Sequence, residues 1–250
     1  MKKTKIISIC LQKGGVGKST TAQTLAAYIG NERKKVLLID LDAQQNVTFS
    51  SGVEPKEKTA SDILGGQCNP NEAIVSLSHY DILPADRYLS NVESTEVPSD
   101  LLKNGISSCI GQYDFILIDT PPALGNLMKN ALVASNFVII PIEASAYSLQ
   151  GVDEFLHTFE SIRDAENKEL KVLGILLVKY HDRTIINRNL KENIISYANE
   201  MGINVFDTFI RESVAIRESQ VLQKDLLDYS PRSKPAIDYK KLSKEILRRF

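Results

Sequence analysis

Gln12-Lys13-Gly14-Gly15-Val16-Gly17-Lys18-Ser19-Thr20 is the stretch on which the reading of this chain turns. A glycine-rich turn closing on Lys-Ser lets backbone amides cradle phosphate, with the lysine reaching the β/γ oxygens and the hydroxyl serving a metal ion. Gly17, Lys18 and Ser19 stand where the common G-x-x-x-x-G-K-[ST] pattern needs them, but Gln12 takes the place of the first glycine. Gly14 and Gly15 restore backbone freedom from inside the loop, and Lys13 adds a cation five residues before Lys18. The flanks favour a phosphate loop over a glycine-rich hairpin carrying surface lysines. Residues 5–11 form an apolar run (Ile6, Ile7, Ile9, Leu11) with the pattern of a buried strand, and residues 19–30 put Leu25, Ala26 and Ile29 on one helix face. Strand, loop and helix in that order aim N-terminal helix amides at an anion.

Two more apolar runs end on an acid, residues 35–40 on Asp40 and 113–119 on Asp119, the pattern of buried parallel strands with a functional C-terminal edge. Strands are also expected at 80–84, 137–141, 170–178 and around 205–210, and helices over 98–110, 124–134, 148–163, 185–200 and 237–249. This alternation predicts an α/β fold, a doubly wound, mostly parallel sheet with helices on both faces, of P-loop NTPase type. No repeat or Pro/Gly-rich linker divides the chain, so one domain over residues 1–250 is expected. Residues 46–70, with Gly52, Pro55, Gly65, Gly66 and Pro70, are expected to be an irregular insertion beside a switch loop.

The 250 residues, 43% hydrophobic and 24% charged, can bury a full core. The basic start runs into an apolar run of only six residues, Ile6 to Leu11, before the loop, which argues against a signal peptide or membrane span there and points to the cytoplasm. Cys10, Cys68 and Cys109 lack CxxC spacing, which argues against zinc and disulfide frameworks. The net charge is −1, yet residues 232–250 carry seven cations (Arg232, Lys234, Lys240, Lys241, Lys244, Arg248, Arg249) against Asp238 and Glu245. A near-neutral total can conceal a basic face.

The Lys13-to-Thr20 loop resembles the deviant Walker A motif, K-G-G-x-G-K-[ST]-[ST], of the ParA/MinD family. Asp40-Leu41-Asp42 resembles that family's D-x-D element, although Ala43-Gln44-Gln45-Asn46 replaces its usual P-Q-G-N. Asp119-Thr120-Pro121-Pro122-Ala123-Leu124-Gly125 resembles its D-T-P-P-x-x-G switch II, and Pro141 to Gly151 the strand-to-helix turn that follows. The resemblance runs from about residue 5 to the C-terminus and implies ATP and Mg²⁺ as cofactors; no N-K-x-D guanine motif is present. It implies nucleotide contacts from Lys13, Gly14, Gly15, Val16, Gly17, Lys18, Ser19 and Thr20. It also implies that Lys13 crosses to nucleotide held by a second copy in an ATP-dependent homodimer. Ser19, Asp40 and Asp119 are assigned to the metal shell, with Asp42 as the residue that orients the attacking water and takes its proton. The catalytic set is thus Lys13, Lys18 and Asp42. Residues 210–219 resemble the segment closing over adenine, whence Arg211 as a nucleotide contact, and 179–184 resemble a source of base contacts and surface arginines. Glu143 is open between a nucleotide or partner contact and a surface acid.

For the small Soj-like branch of ParA, the implied function is partition of plasmid or chromosomal DNA. The ATP-bound dimer binds DNA without sequence preference on the nucleoid, and a ParB-type centromere-binding partner stimulates a weak hydrolysis. Arg183, Arg188, Lys191 and the C-terminal cations are the candidates for phosphate contacts. The alternative is a MinD-like regulator that cycles on membranes, suggested by Ile237, Leu242, Ile246, Leu247 and Phe250 opposite basic residues. A nitrogenase-reductase-like reading lacks cluster cysteines after Asp119, and a bacterial tyrosine kinase lacks the tyrosine-rich tail.

Overall fold

The computed structural model describes residues 3–55, 57–145, 148–182 and 184–250. Among them the strands are β1 (Lys5–Ile9), β2 (Val36–Asp40), β3 (Val75–Ser76), β4 (Asp81–Leu83), β5 (Phe115–Asp119), β6 (Phe137–Glu143) and β7 (Lys171–Val178). The first six helices are α1 (Lys18–Asn31), α2 (Asn46–Ser50), α3 (Ala60–Leu64), α4 (Pro70–Ala73), α5 (Leu89–Ser94) and α6 (Leu101–Gly105). The rest are α7 (Asn126–Ala134), α8 (Ser148–Ala165), α9 (Ile185–Glu200), α10 (Val214–Val221), α11 (Leu226–Tyr229) and α12 (Lys234–Leu247).

One sheet runs β3-β4-β2-β5-β1-β6-β7, parallel throughout except for the antiparallel β3–β4 edge. Every residue of β2 and β5 is buried, as apolar strands covered on both faces must be. Their side chains alternate between two layers. Val36, Leu38, Phe115 and Leu117 pack with Ile7 and Ile9 against Leu25 and Ile29 of α1 and Leu242 and Ile246 of α12. Leu37, Ile39, Ile116 and Ile118 face the opposite layer with Ile63 of α3 and Leu102 of α6. A third cluster joins β6 and β7 to Val152, Phe155 and Phe159 of α8. Helices therefore cover both faces, as the alternating pattern predicts.

Register places the site. Ile9 and Asp40 both pair with Asp119, so β1, β2 and β5 end level. Asp40 shares the parity of Val36 and Leu38, and Asp119 that of Phe115 and Leu117. Both acids therefore point to the α1 face.

Three expectations need correction. The helix expected over 98–110 is only α6 followed by a 3₁₀ turn at Ser107–Cys109. Gly105 lies so close to Ile63 that a Cβ would sit 2.6 Å from its methyl carbon, and Ile106 leaves the helical region there to bury its side chain. The strand expected around 205–210 is an extended segment with a single bridge, Ile175 to Val205. The amides of Asp207 and Thr208 bond instead to the Glu245 carboxylate of α12, at 3.0 and 3.1 Å, which breaks the ladder. Residues 46–70 hold α2 and α3 and lead into α4, and Ala60, Ile63 and Leu64 are buried in the core. Thr59 and Asp62 form a capping box at α3, and Asn69 and Glu72 another at α4.

Helix α12 begins at Lys234, three residues before the expected start, with proline in its first turn. Much of its apolar face packs on the core: Leu242 and Ile246 are fully buried, the Tyr239 hydroxyl lies 3.0 Å from that of Thr21 on α1, and Ile237 stays exposed. The Phe250 ring packs on Phe115 and Phe137, with the Lys5 ammonium 4.9 Å from its centroid. No helix among the described residues is long and apolar enough to cross a membrane.

Candidate nucleotide-binding site

The loop between β1 and α1 takes its shape from two glycines at φ 76, Gly15 and Gly17, a conformation that costs a side-chain-bearing residue about 1–2 kcal/mol. Gly17 is the N-cap of α1, so the helix opens with free amides. Lys18 is buried and its Nζ donates to Lys13 O at 2.8 Å and Leu11 O at 3.2 Å. Burial lowers its pKa from the ordinary lysine value, with the Asp119 charge the main opposing influence. The Lys13 side chain, half-buried, makes no hydrogen bond or ion pair among the described residues. Ser19 and Thr20 are also half-buried, and Thr20 Oγ1 accepts from Gln220 Nε2 of α10 at 3.0 Å.

Asp119 is fully buried, and neither carboxylate oxygen has a hydrogen-bond partner among the described residues. Burial first, and then the Asp40 charge, raise its pKa well above the usual carboxylate range. The Ser19 hydroxyl and Lys18 are close enough to oppose this, but neither closes a hydrogen bond to it in ordinary geometry. A bare buried carboxylate beside a half-exposed hydroxyl suits a hard divalent cation that keeps part of its water shell.

Asp40, which the resemblance assigns to the metal shell, is also held by the chain itself. Its Oδ1 accepts from Asp42 N at 3.0 Å, and its Oδ2 accepts from Thr48 N at 2.9 Å and Thr48 Oγ1 at 2.8 Å. Both oxygens are therefore engaged by the chain itself. Burial outweighs these bonds and pushes its pKa up to about 6. Thr48 escaped the sequence reading; its hydroxyl also accepts from Ala85 N at 2.9 Å and ties α2 to the segment after β4. Asp42 is nearly buried, and its Oδ1 accepts from Gln44 N at 2.9 Å in an Asx-type turn.

Gln45 stands where the related motif has glycine, and it keeps a left-handed backbone at φ 58. Gln45→Gly is expected to stabilise the protein by about 0.5–1 kcal/mol, strain relief exceeding the added chain entropy. A rise in the urea midpoint at unchanged slope reads this out, and a fall would show that the loop holds no strain.

Arg211 is tied to α12. Its guanidinium is paired with Asp238 of α12 at 2.8 and 2.6 Å, and Asp238 Oδ2 also accepts its backbone amide. That guanidinium is committed to α12, so the nucleotide contact expected of it is left to backbone or ring packing in its segment. Glu143 ends β6 and pairs with Lys179, the first residue of the stretch 179–184 expected to supply base contacts. Arg183 lies outside the described residues.

A family model described as an AAA domain matches residues 4–172. The chromosome-partitioning ATPase Soj of Thermus thermophilus is 36% identical over 250 residues, covering 99% of this chain and 97% of Soj. The chain belongs to the ParA/Soj family of P-loop ATPases. The structure of cobyrinic acid a,c-diamide synthase from Mycobacterium smegmatis with bound ADP and magnesium aligns with a TM-score of 0.84 at 29% identity, over 98% of this chain and 94% of that one. The septum site-determining protein MinD of Pyrococcus horikoshii, complexed with Mg-ADP, aligns at 0.79 and 26% identity, over 97% and 96%. The MinD structure thus shares the fold described above.

Proposed function

We propose that this ParA-type ATPase is a DNA-partition ATPase acting as one domain over residues 1–250. ATP with Mg²⁺ joins two copies, the dimer holds DNA without sequence preference on the nucleoid in the cytoplasm, and a ParB-type protein accelerates a slow hydrolysis. The observation that carries this reading is Lys13, a loop cation whose side chain has no partner among the described residues, beside a loop that already has Lys18 as its phosphate lysine.

In this reading the amides of residues 14–20 and the Lys18 ammonium hold the β- and γ-phosphates, Lys18 exchanging the carbonyls of Leu11 and Lys13 for phosphate oxygens. Ser19 and Asp119 would hold Mg²⁺, which would supply charge neutralisation at the phosphates. Asp40 acts at one remove, fixing the Asp42 amide and Thr48, and Asp42 orients the attacking water and accepts its proton. The exposed face of α12 presents Lys234, Lys241, Lys244 and Arg248, all solvent-facing, as candidate phosphate contacts. Arg249 is less available, since it donates to Leu173 O and pairs with Glu245. Lys191 sits over the Tyr180 and Phe209 rings, while Arg188 is exposed.

Lys13→Ala is expected to bind ATP with affinity near wild type yet lose the ATP-dependent dimer. Light scattering of the variant with ATP and Mg²⁺ reads this directly, and dimerisation at the wild-type concentration would sink the cross-subunit role. The MinD-like alternative is disfavoured because lipid would need Leu242 and Ile246, which α12 buries against the core.

A further inference from the structure

Lys179 immediately follows β7 and is one of four non-glycine residues at positive φ among those described, at φ 51. This turn brings its side chain back over the phosphate loop, where Nζ donates to Gly15 O at 2.8 Å and pairs with Glu143 Oε1 at 2.5 Å. Glu143 is fixed in turn. It is the last residue of β6, in register with Val178 of β7, and its carbonyl accepts the Ser148 hydroxyl at the start of α8. An ion pair on an open surface contributes little. This one is different in what it touches, because the ammonium joins the ends of two sheet strands to a carbonyl of the loop.

In a trans peptide the C=O of one residue and the N–H of the next point in opposite directions. A cation fixed on Gly15 O therefore fixes the Val16 N–H pointing away from Lys179. Val16 itself is buried, its side chain packed with Met128, Val138 and Ile140, so this peptide unit is held at both ends. Gly15, at φ 76 and exposed, is the residue whose peptide can otherwise turn over.

We propose that Lys179, held by Glu143, is a positioning residue for the phosphate loop: it pins the Gly15 carbonyl outward so that the Val16 N–H faces the phosphates. The proposal rests on the ATPase reading. It assigns to the pair the task of setting an amide before nucleotide arrives, so less ordering is left to the binding step. The strained backbone at Lys179 is consistent with a side chain aimed for a purpose other than folding.

The test compares the full-length wild type with Lys179→Met, Lys179→Arg and Glu143→Gln. Lys179→Met is expected to weaken ATP and ADP equally, by on the order of tenfold, the scale of one lost charge-assisted hydrogen bond. Its melting temperature without ligand should be unchanged, and Lys179→Arg should recover most of the affinity. Glu143→Gln should lose less than Lys179→Met, and a gain in affinity would show that Glu143 merely repels phosphate. A loss confined to ATP would mean that Lys179 touches the γ-phosphate itself, which overturns the positioning role. The nucleotide-free protein gives a separate readout: the Val16 amide resonance should shift in Lys179→Met and stay put in Lys179→Arg. An unmoved Val16 resonance in Lys179→Met overturns the proposal whether or not the wild type binds ATP. A wild type that fails to bind ATP counts against the ATPase reading alone.

Discussion

Asp42→Ala is expected to lower ATP turnover by ~10²–10⁴-fold, the usual cost of losing a positioned general base. ATP affinity and the ATP-dependent dimer should survive. The separation follows from the site's layout. In the proposed site the phosphate donors come from the loop and α1, and the bare carboxylate beside Ser19 is Asp119, so removing Asp42 takes away neither. The backbone of Asp42 stays anchored too, since its amide bonds to Asp40 Oδ1 whatever its side chain. Single-turnover hydrolysis, with nucleotide binding measured in parallel, decides the matter. Turnover at the wild-type rate would move the base elsewhere, and Asp40 is a poor substitute because its oxygens already accept three hydrogen bonds.

DNA affinity of the ATP-bound form is expected to fall on the order of a thousandfold between about 50 and 200 mM salt, for a dimer making roughly six phosphate contacts. One subunit carries a net charge of −1, and the candidate phosphate contacts are a stripe of cations along α12 and at Arg188. Two subunits double that stripe, so binding should require ATP. Unrelated duplexes should bind about equally, because phosphate contacts carry no base information. Filter binding or fluorescence anisotropy across salt gives the slope. Binding that ignores ATP, or is confined to one sequence, would count against partition, and ATP-dependent liposome binding without DNA binding would restore the MinD-like alternative.

The parts of the site that were legible in the sequence are those whose chemistry is local. The loop at 12–20, Asp40 and Asp119 lie at the ends of unbroken apolar runs, and such runs have few ways to fold other than as covered parallel strands. Contacts made at long range left no comparable trace. Nothing near Lys179 announces Gly15, 164 residues away, or Glu143, 36 away. The tie from Arg211 to Asp238 likewise depends on how α12 lies. The metal role implied for Asp40 takes no account of Thr48, eight residues on, whose capture of Oδ2 requires α2 to fold back. Helices α3 and α4 were within reach, since Thr59-x-x-Asp62 and Asn69-Pro70-x-Glu72 are readable start signals. The glycines and prolines around them concealed the signal. The break after α6 was harder, because it comes from a close approach to Ile63 that no periodicity encodes.

The level ends of β1, β2 and β5 divide the site into a part that keeps its place and a part free to report. Ile9, Asp119 and Asp40 sit side by side in the buried centre of the sheet, the Leu41 amide bonds to Asp119 O, and the Thr120 hydroxyl bonds to Ile9 O. Openings of such a centre belong with global unfolding, whereas the loops beyond it open far more cheaply. In the proposed cycle the bases of the reacting groups would stay fixed, and the nucleotide state would be reported through residues 43–45 and 121–125. A partner of the kind proposed would have those short segments, and the surfaces they displace, to sense.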